Sequence, residues 1–216
     1  MMPRLLVAID SSAGPASVAL FRDDVLITSR RIERNGSAEL LAPTVADLLQ
    51  IAGAHASDIT DVVAGAGPGS FTGLRVAAAF AKGLAHGRNV ALHAVPSLPL
   101  IAAAADDAPI GSYHCVLDAL RGEWFVQHVT RHDDASFTVD GAVERLPVAH
   151  VQERAAASGA RLVGPPVDVT QQPDVRAALR IGLLAVSRAT WEPDYGRLAE
   201  AQVVWEATHL RALPTS

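Results

Sequence analysis

A chain of 216 residues, half of them hydrophobic and about a fifth charged, carries enough apolar material for one α/β domain or for two lobes of about 100 residues each. Its formal charge of −5, with 18 Lys and Arg spread along the chain, leaves no electrostatic footprint for wrapping nucleic acid unaided, so any RNA contact needs a partner. The apolar run at residues 5–9 is too short for a signal sequence and stops at Asp10, and no stretch nears the ~20 apolar residues of a membrane span, which makes the cytoplasm the expected compartment and a membrane partner unexpected.

In chain order, residues 5–10, 17–21 and 25–29 read as strands, with Ser11-Ser-Ala-Gly-Pro15 and Arg22-Asp-Asp24 as the turns between them. Such short links cannot hold crossovers, so the three strands should form an antiparallel meander. Leu41, Val45, Leu48, Leu49 and Ala52 then share one face of a helix ending near Gly53, with Ser37 as its N-cap and Pro43 either starting it or bending it. A short apolar strand at 62–64, a glycine-rich turn, a helix of small residues to Ala85, a strand at 90–93 and a helix at 97–105 follow. Strands alternating with helices imply parallel pairing. The second half restarts with strands at 113–118, 124–129 and around 137–139, a helix at 148–158, a strand at 161–163, a Gly-Pro-Pro loop and a helix at 174–190. The tail after Trp191 shows no clear element. Asp106, Asp107 and Pro109 interrupt the apolar pattern and put a lobe boundary at 105–111.

The least ordinary segment is Gly65–Ala85, a glycine-rich turn that opens directly into a helix. Such a turn either cradles an anion at the helix N-terminus or lets two backbones approach closely. It is no dinucleotide fingerprint, because Thr72 stands where the third glycine belongs, and no P-loop, because the Gly-Lys-Ser/Thr ending is missing. A nucleophile elbow fails at Pro68 and Thr72. Ser70 reads instead as an N-cap. Gly73, Ala77, Ala81 and Ala85 recur at spacing four, a ridge nearly without side chains that permits close approach of another helix. Arg75, Ala79, Lys82 and Gly83 lie on other faces, and the two cations suit phosphate, carboxylate or water.

Asp10 with Ser11, beside Gly67, Gly69 and Ser70, is the weak candidate for holding a nucleotide; equally, Asp10 suits a turn that binds the next amides. Asp118, beside Arg121 and Glu123, reads as structural, and Asp106-Asp107 and Asp133-Asp134 as solvated loops. Cys115, the one cysteine, reads as a buried strand thiol. His128 and His132 have ligand spacing for a helix, but His128 falls in a strand and His132 in a polar turn, which argues against a metal.

Gly67-Pro-Gly-Ser-Phe-Thr-Gly-Leu-Arg75 and Ala81-Lys-Gly-Leu-Ala85 are similar to the signature of the TsaB family, also called YeaZ, which serves the bacterial synthesis of tRNA threonylcarbamoyladenosine. Leu6-Val-Ala-Ile-Asp-Ser-Ser12, Ala38-Glu-Leu-Leu-Ala-Pro43, Val95-Pro-Ser-Leu98 and Leu117-Asp-Ala-Leu-Arg-Gly-Glu123 agree, so the resemblance covers about the first 130 residues. It implies an α/β, actin/Hsp70-like ATPase (ribonuclease-H-like) fold of two lobes, 1–108 and a more variable 109–216, each with a mixed five-stranded sheet and flanking helices. It also implies a non-catalytic scaffold that docks the catalytic subunit TsaD and the small ATPase TsaE, pairs with itself when alone, and meets tRNA only indirectly. On this resemblance the partner interface comprises Leu41, Val45, Leu48, Leu49, Gly73, Arg75, Ala77, Ala81, Lys82 and Ala85. No cofactor or metal of its own is implied, although a nucleotide lodged between subunits is compatible with it. The metal-binding His-x-x-x-His of TsaD has no counterpart at a matching position, and Asn35-Gly-Ser-Ala-Glu39 departs from the family's His-Ser-Glu. The alternative is an active sugar or acyl kinase of the same fold, using Asp10, Ser11 and the Gly67 loop around ATP. Against it, the second half shows no glycine-rich loop for adenosine.

Overall fold

In the computed structural model, which describes residues 3–33 and 37–196, the unbroken apolar run Leu5–Asp10 forms β1, buried at every position. A strand covered on both faces reads as a continuous hydrophobic run rather than an alternation, and β1 is such a strand at the centre of its sheet. It pairs antiparallel with β2 (Ala16–Arg22), which pairs antiparallel with the edge strand β3 (Val25–Ile32), giving the expected meander. On its other side β1 pairs parallel with β4 (Asp61–Gly65), and β4 with β5 (Ala91–Val95). The crossovers carry α1 (Ser37–Ile51) and α2 (Phe71–Arg88). Pro43 sits inside α1 rather than at its start. The side chain of Ser37, expected as the N-cap, lies outside the described residues, as do residues 34–36.

A short buried helix, α3 (Ser97–Ala103), leads into a second sheet of β6 (Gly111–Leu120), β7 (Glu123–Arg131) and β8 (Phe137–Pro147), joined as hairpins. After α4 (Val148–Ser158), β9 (Arg161–Val163) pairs parallel with β6. β8 runs well beyond the expected 137–139, because an edge strand exposed along most of its length shows little apolar signal.

The expected helix at 174–190 is corrected. A 3₁₀ turn, Val175–Ala177, passes into the single turn α5 (Ala178–Ile181), Gly182 breaks the helix at φ 92°, and β10 (Leu184–Val186) adds to β5 antiparallel. Among the described residues the sheets therefore hold six and four strands, in the orders β10-β5-β4-β1-β2-β3 and β8-β7-β6-β9, where five each were expected.

Alternation along β1 divides the core of the first sheet. Leu5, Val7 and Ile9 meet α1 and α2, while Leu6 and Ala8 meet Leu100, Val175 and Ala178 on the other face. α3 lies between the sheets: Leu100 and Ala103 pack on the first, and Leu98, Ile101 and Ala102 on Cys115, Leu117 and Phe125 of the second.

Candidate functional site

The turn after β1 and the loop before α2 meet over a buried carboxylate. Asp10, 1% exposed, accepts on Oδ1 from the Ser12 amide at 2.9 Å and the Ser12 hydroxyl at 2.6 Å, and on Oδ2 from the Ser97 hydroxyl at 2.6 Å. Ser97 in turn accepts from the Gly67 amide at 3.0 Å, and the Ser70 amide donates to the Ser12 carbonyl at 2.7 Å. Burial pushes the Asp10 carboxyl above its ordinary range, the Ser12 and Ser97 hydrogen bonds oppose that, and Asp174 adds to it.

The glycines of the loop sit against this turn. A Cβ at Gly69 would lie 2.1 Å from the Ser12 carbonyl oxygen, and one at Gly73 would lie 1.9 Å from that of Ser11. Asp10, Ser11, Gly67, Gly69 and Ser70 are thus brought together, as the sequence suggests, but around one another. Close backbone approach, one of the two roles open to the loop, is seen here. Ser70 caps α2 as expected, accepting from the Gly73 amide.

A strap missed by sequence reasoning closes the outside of the same loop. The Asp194 amide donates to the Ala66 carbonyl at 2.8 Å, Tyr195 stacks on Phe71 at 4.6 Å between centroids, and Glu192 pairs with Lys82 at 2.6 Å. Arg188 caps the far end of α2 by donating to the Ala85 carbonyl. These are contacts of backbone and single side chains, with no periodicity that a sequence could display.

The expected interface needs a correction. Ala77, Ala81 and Ala85 are fully buried, and Leu41, Val45, Leu48 and Leu49 are at most 6% exposed, all within one core beneath α1 and α2. The bare ridge lets α2 lie close on its own sheet. Those seven side chains, with Gly73 against Ser11, are covered by the chain itself. Arg75 is exposed, 5.0 Å above the Phe71 ring, and Lys82 is half-buried. The outward surface is a second stripe: Thr72, Ala79, Gly83, His86 and Gly87 on α2, beside Ala42, Pro43, Ala46 and Gln50 on α1. A Cβ at Gly83 or Gly87 would meet nothing within 4 Å. Its signal was available in Ala79, Gly83 and Gly87, again at spacing four.

In the second sheet, Asp118 accepts from the Leu120 amide at 2.7 Å and so stabilises a turn. Asp106 pairs with Arg180, and Asp134 accepts from the Ser136 amide and hydroxyl. Burial raises the Cys115 thiol to about 12, which leaves it un-ionised at neutral pH. His132 contacts Thr138 and His128 contacts Asp140, so that pair does not converge. Among the described residues no group of three or more His, Cys, Asp or Glu could hold a metal ion. Open clefts, of about 570 Å³ beside Lys82, His86 and Arg188 and about 410 Å³ beside Arg4, Asp24 and His93, are lined by no residue of the Asp10 network. No helix among the described residues is long and apolar enough to cross a membrane.

Residues 31–158, more than half of the chain, match the family described as TsaD: tRNA N6-adenosine threonylcarbamoyltransferase. The chain belongs to this family. Several of the similar curated proteins are named TsaB, and two similar solved structures carry the name YeaZ. TsaB of Escherichia coli K12 is 33% identical over 97 residues, 45% of this chain and 42% of that protein. TsaB of Bacillus subtilis 168 is 32% identical over 120 residues, 55% of this chain and 52% of that protein. The chain thus spans about half the length of these curated relatives. Among solved structures, YeaZ from Pseudomonas aeruginosa superposes with a TM-score of 0.72 at 24% identity, over 89% of this chain and 99% of the other. A second Pseudomonas aeruginosa structure, titled as similar to the peptidase YEAZ, gives 0.76 at 24% identity over 90% and 100%. The chain therefore shares the fold of these two structures, with its glycine-rich turn and α1/α2 pair inside the matched region of the family.

Proposed function

We propose that this chain is a non-catalytic scaffold subunit in the synthesis of N6-threonylcarbamoyladenosine in tRNA. It docks a TsaD-type catalytic subunit and a TsaE-type ATPase, and pairs with itself when alone. The curated relatives are named as threonylcarbamoyladenosine biosynthesis proteins, which supports the pathway. The observation that carries the scaffold reading is the filled glycine-rich turn. In a kinase of this fold the turn after β1 and the loop before α2 would face a nucleotide's phosphates; here Asp10 has both oxygens hydrogen-bonded within the chain, and the Ser11 and Ser12 carbonyls touch the glycines.

Docking then falls to the outward faces of α1 and α2. The small, uncharged positions Ala42, Pro43, Ala46, Ala79, Gly83 and Gly87 allow helix backbones of a partner to come near, and Arg75 and Lys82 stand at the rim. A nucleotide, if the assembly holds one, lies between subunits, and tRNA is reached through the partners.

Reconstitution of tRNA modification from a TsaD-type subunit, a TsaE-type ATPase and the enzyme that forms the threonylcarbamoyl adenylate tests this reading. Product should require this chain, and the chain alone should show no turnover with Mg-ATP. Equal product without it would refute the role, and turnover with a sugar or acyl acceptor would favour the kinase.

A further inference from the structure

Across the face of the second sheet that α4 covers, the hairpin registers set His114 of β6 opposite His128 of β7, and His128 opposite Asp140 of β8. Directly opposed side chains on one face of an antiparallel pair are near neighbours. The two imidazole centroids are 5.3 Å apart, with the rings tilted by 58°. Two imidazoles on one tetrahedral cation, each with a metal–nitrogen bond of about 2.0–2.1 Å, place their centroids about 5.2 Å apart. The centroid separation observed matches that value.

Each ring keeps one nitrogen outside its closer hydrogen bonds. Asp140 only accepts, so Nδ1 is the donor in its 3.0 Å contact with His128, and Nε2 stands outside that contact; Thr130 donates to the same carboxylate oxygen and holds it in place. His114 is 4% exposed, and its Nδ1 has no partner. The 3.5 Å contact of its Nε2 with Ser158 is at the outer limit of a hydrogen bond. A buried polar atom without a partner is costly, which points to a missing ligand.

We propose that His114 and His128 form a two-imidazole site for a divalent transition-metal cation of the zinc class, with Asp140 positioning His128 and water completing the coordination. The His128 side chain, 30% exposed, is the route of entry. Two protein ligands are fewer than the three of a dedicated centre, consistent with the absence of a larger cluster among the described residues. Bound there, the cation would staple β6 to β7 beneath α4; it is independent of the docking face.

Calorimetric titration of the untagged full chain with Zn²⁺, with Co²⁺ absorption as a second probe, tests the site. The native chain should take up one equivalent at micromolar metal, with a tetrahedral Co²⁺ spectrum and a raised melting temperature. His128→Ala should abolish uptake while remaining folded, His114→Gln should do the same, and Asp140→Ala should weaken it by about 10- to 100-fold. Absence of saturable uptake by the native chain, or uptake unchanged in His128→Ala, would overturn the proposal.

Discussion

Asp10 and His114 are both buried titratable groups, and they act on stability in opposite senses. The His114 pKa is lower in the folded chain than in the unfolded one, so its contribution is complete above the ordinary histidine value of about 6.5 and is lost as pH falls from there through the folded value. Denaturant melts between pH 8 and pH 5 should show the native chain losing more stability than His114→Gln. An equal loss in both would mean that other groups set the acid limit. Asp10, raised by burial, loses stability in the other direction, as pH climbs past the ordinary carboxylate range. Its packing offers a sharper test at Gly65, where an added Cβ would lie 1.9 Å from Asp10 Oδ2. Gly65→Ala should cost about 1–3 kcal/mol by overpacking, read as a melting temperature several degrees lower. No change would mean that the Asp10 network is looser than described.

At the scale of elements, α2 shows how far a sequence pattern reaches. Helix, N-cap and glycine-rich entry are legible, because Ser70 and the glycines before it are local signals. The phase of the helix is not. Alanine and glycine recur at spacing four on two faces, 73/77/81/85 and 79/83/87, and such small residues scarcely discriminate core from surface. Leu74, fully buried, and the half-buried Val76, Phe80 and Leu84 settle which face turns inward only once the sheet beneath is known. The two faces make separable predictions. Ala81→Phe should unfold or severely destabilise the chain, whereas Gly83→Ala should raise its stability by about 0.5–1 kcal/mol, the helix preference for alanine over glycine. A tolerated Ala81→Phe, seen as a native circular dichroism spectrum and melting temperature, would reverse the assignment.

For the whole molecule, the first sheet was readable because short polar turns force a meander and longer helical links force parallel strands. The region from Asp174 onward was not. Its apolar residues are divided between a 3₁₀ turn, a single helical turn, an added edge strand and a strap, each held by tertiary contacts rather than by a repeating pattern. The His114–His128 pairing was hidden for a related reason: a spacing of fourteen residues means nothing along a helix, yet the β6–β7 hairpin register makes them direct neighbours. Asp10, Ser11 and the glycine loop were correctly gathered, but that their contacts are mutual could be seen only in three dimensions.

In the proposed scaffold the outward faces of α1 and α2 receive the catalytic partner. Sedimentation of the chain mixed with a TsaD-type subunit tests it most directly, using Gly83→Arg and Ala46→Arg, both at exposed positions, with circular dichroism and melting temperature as folding controls. A complex with the native chain is expected, with affinity reduced by about tenfold or more in each folded variant, a loss of at least about 1.4 kcal/mol. Undiminished association of both variants, or no complex with the native chain, would contradict it.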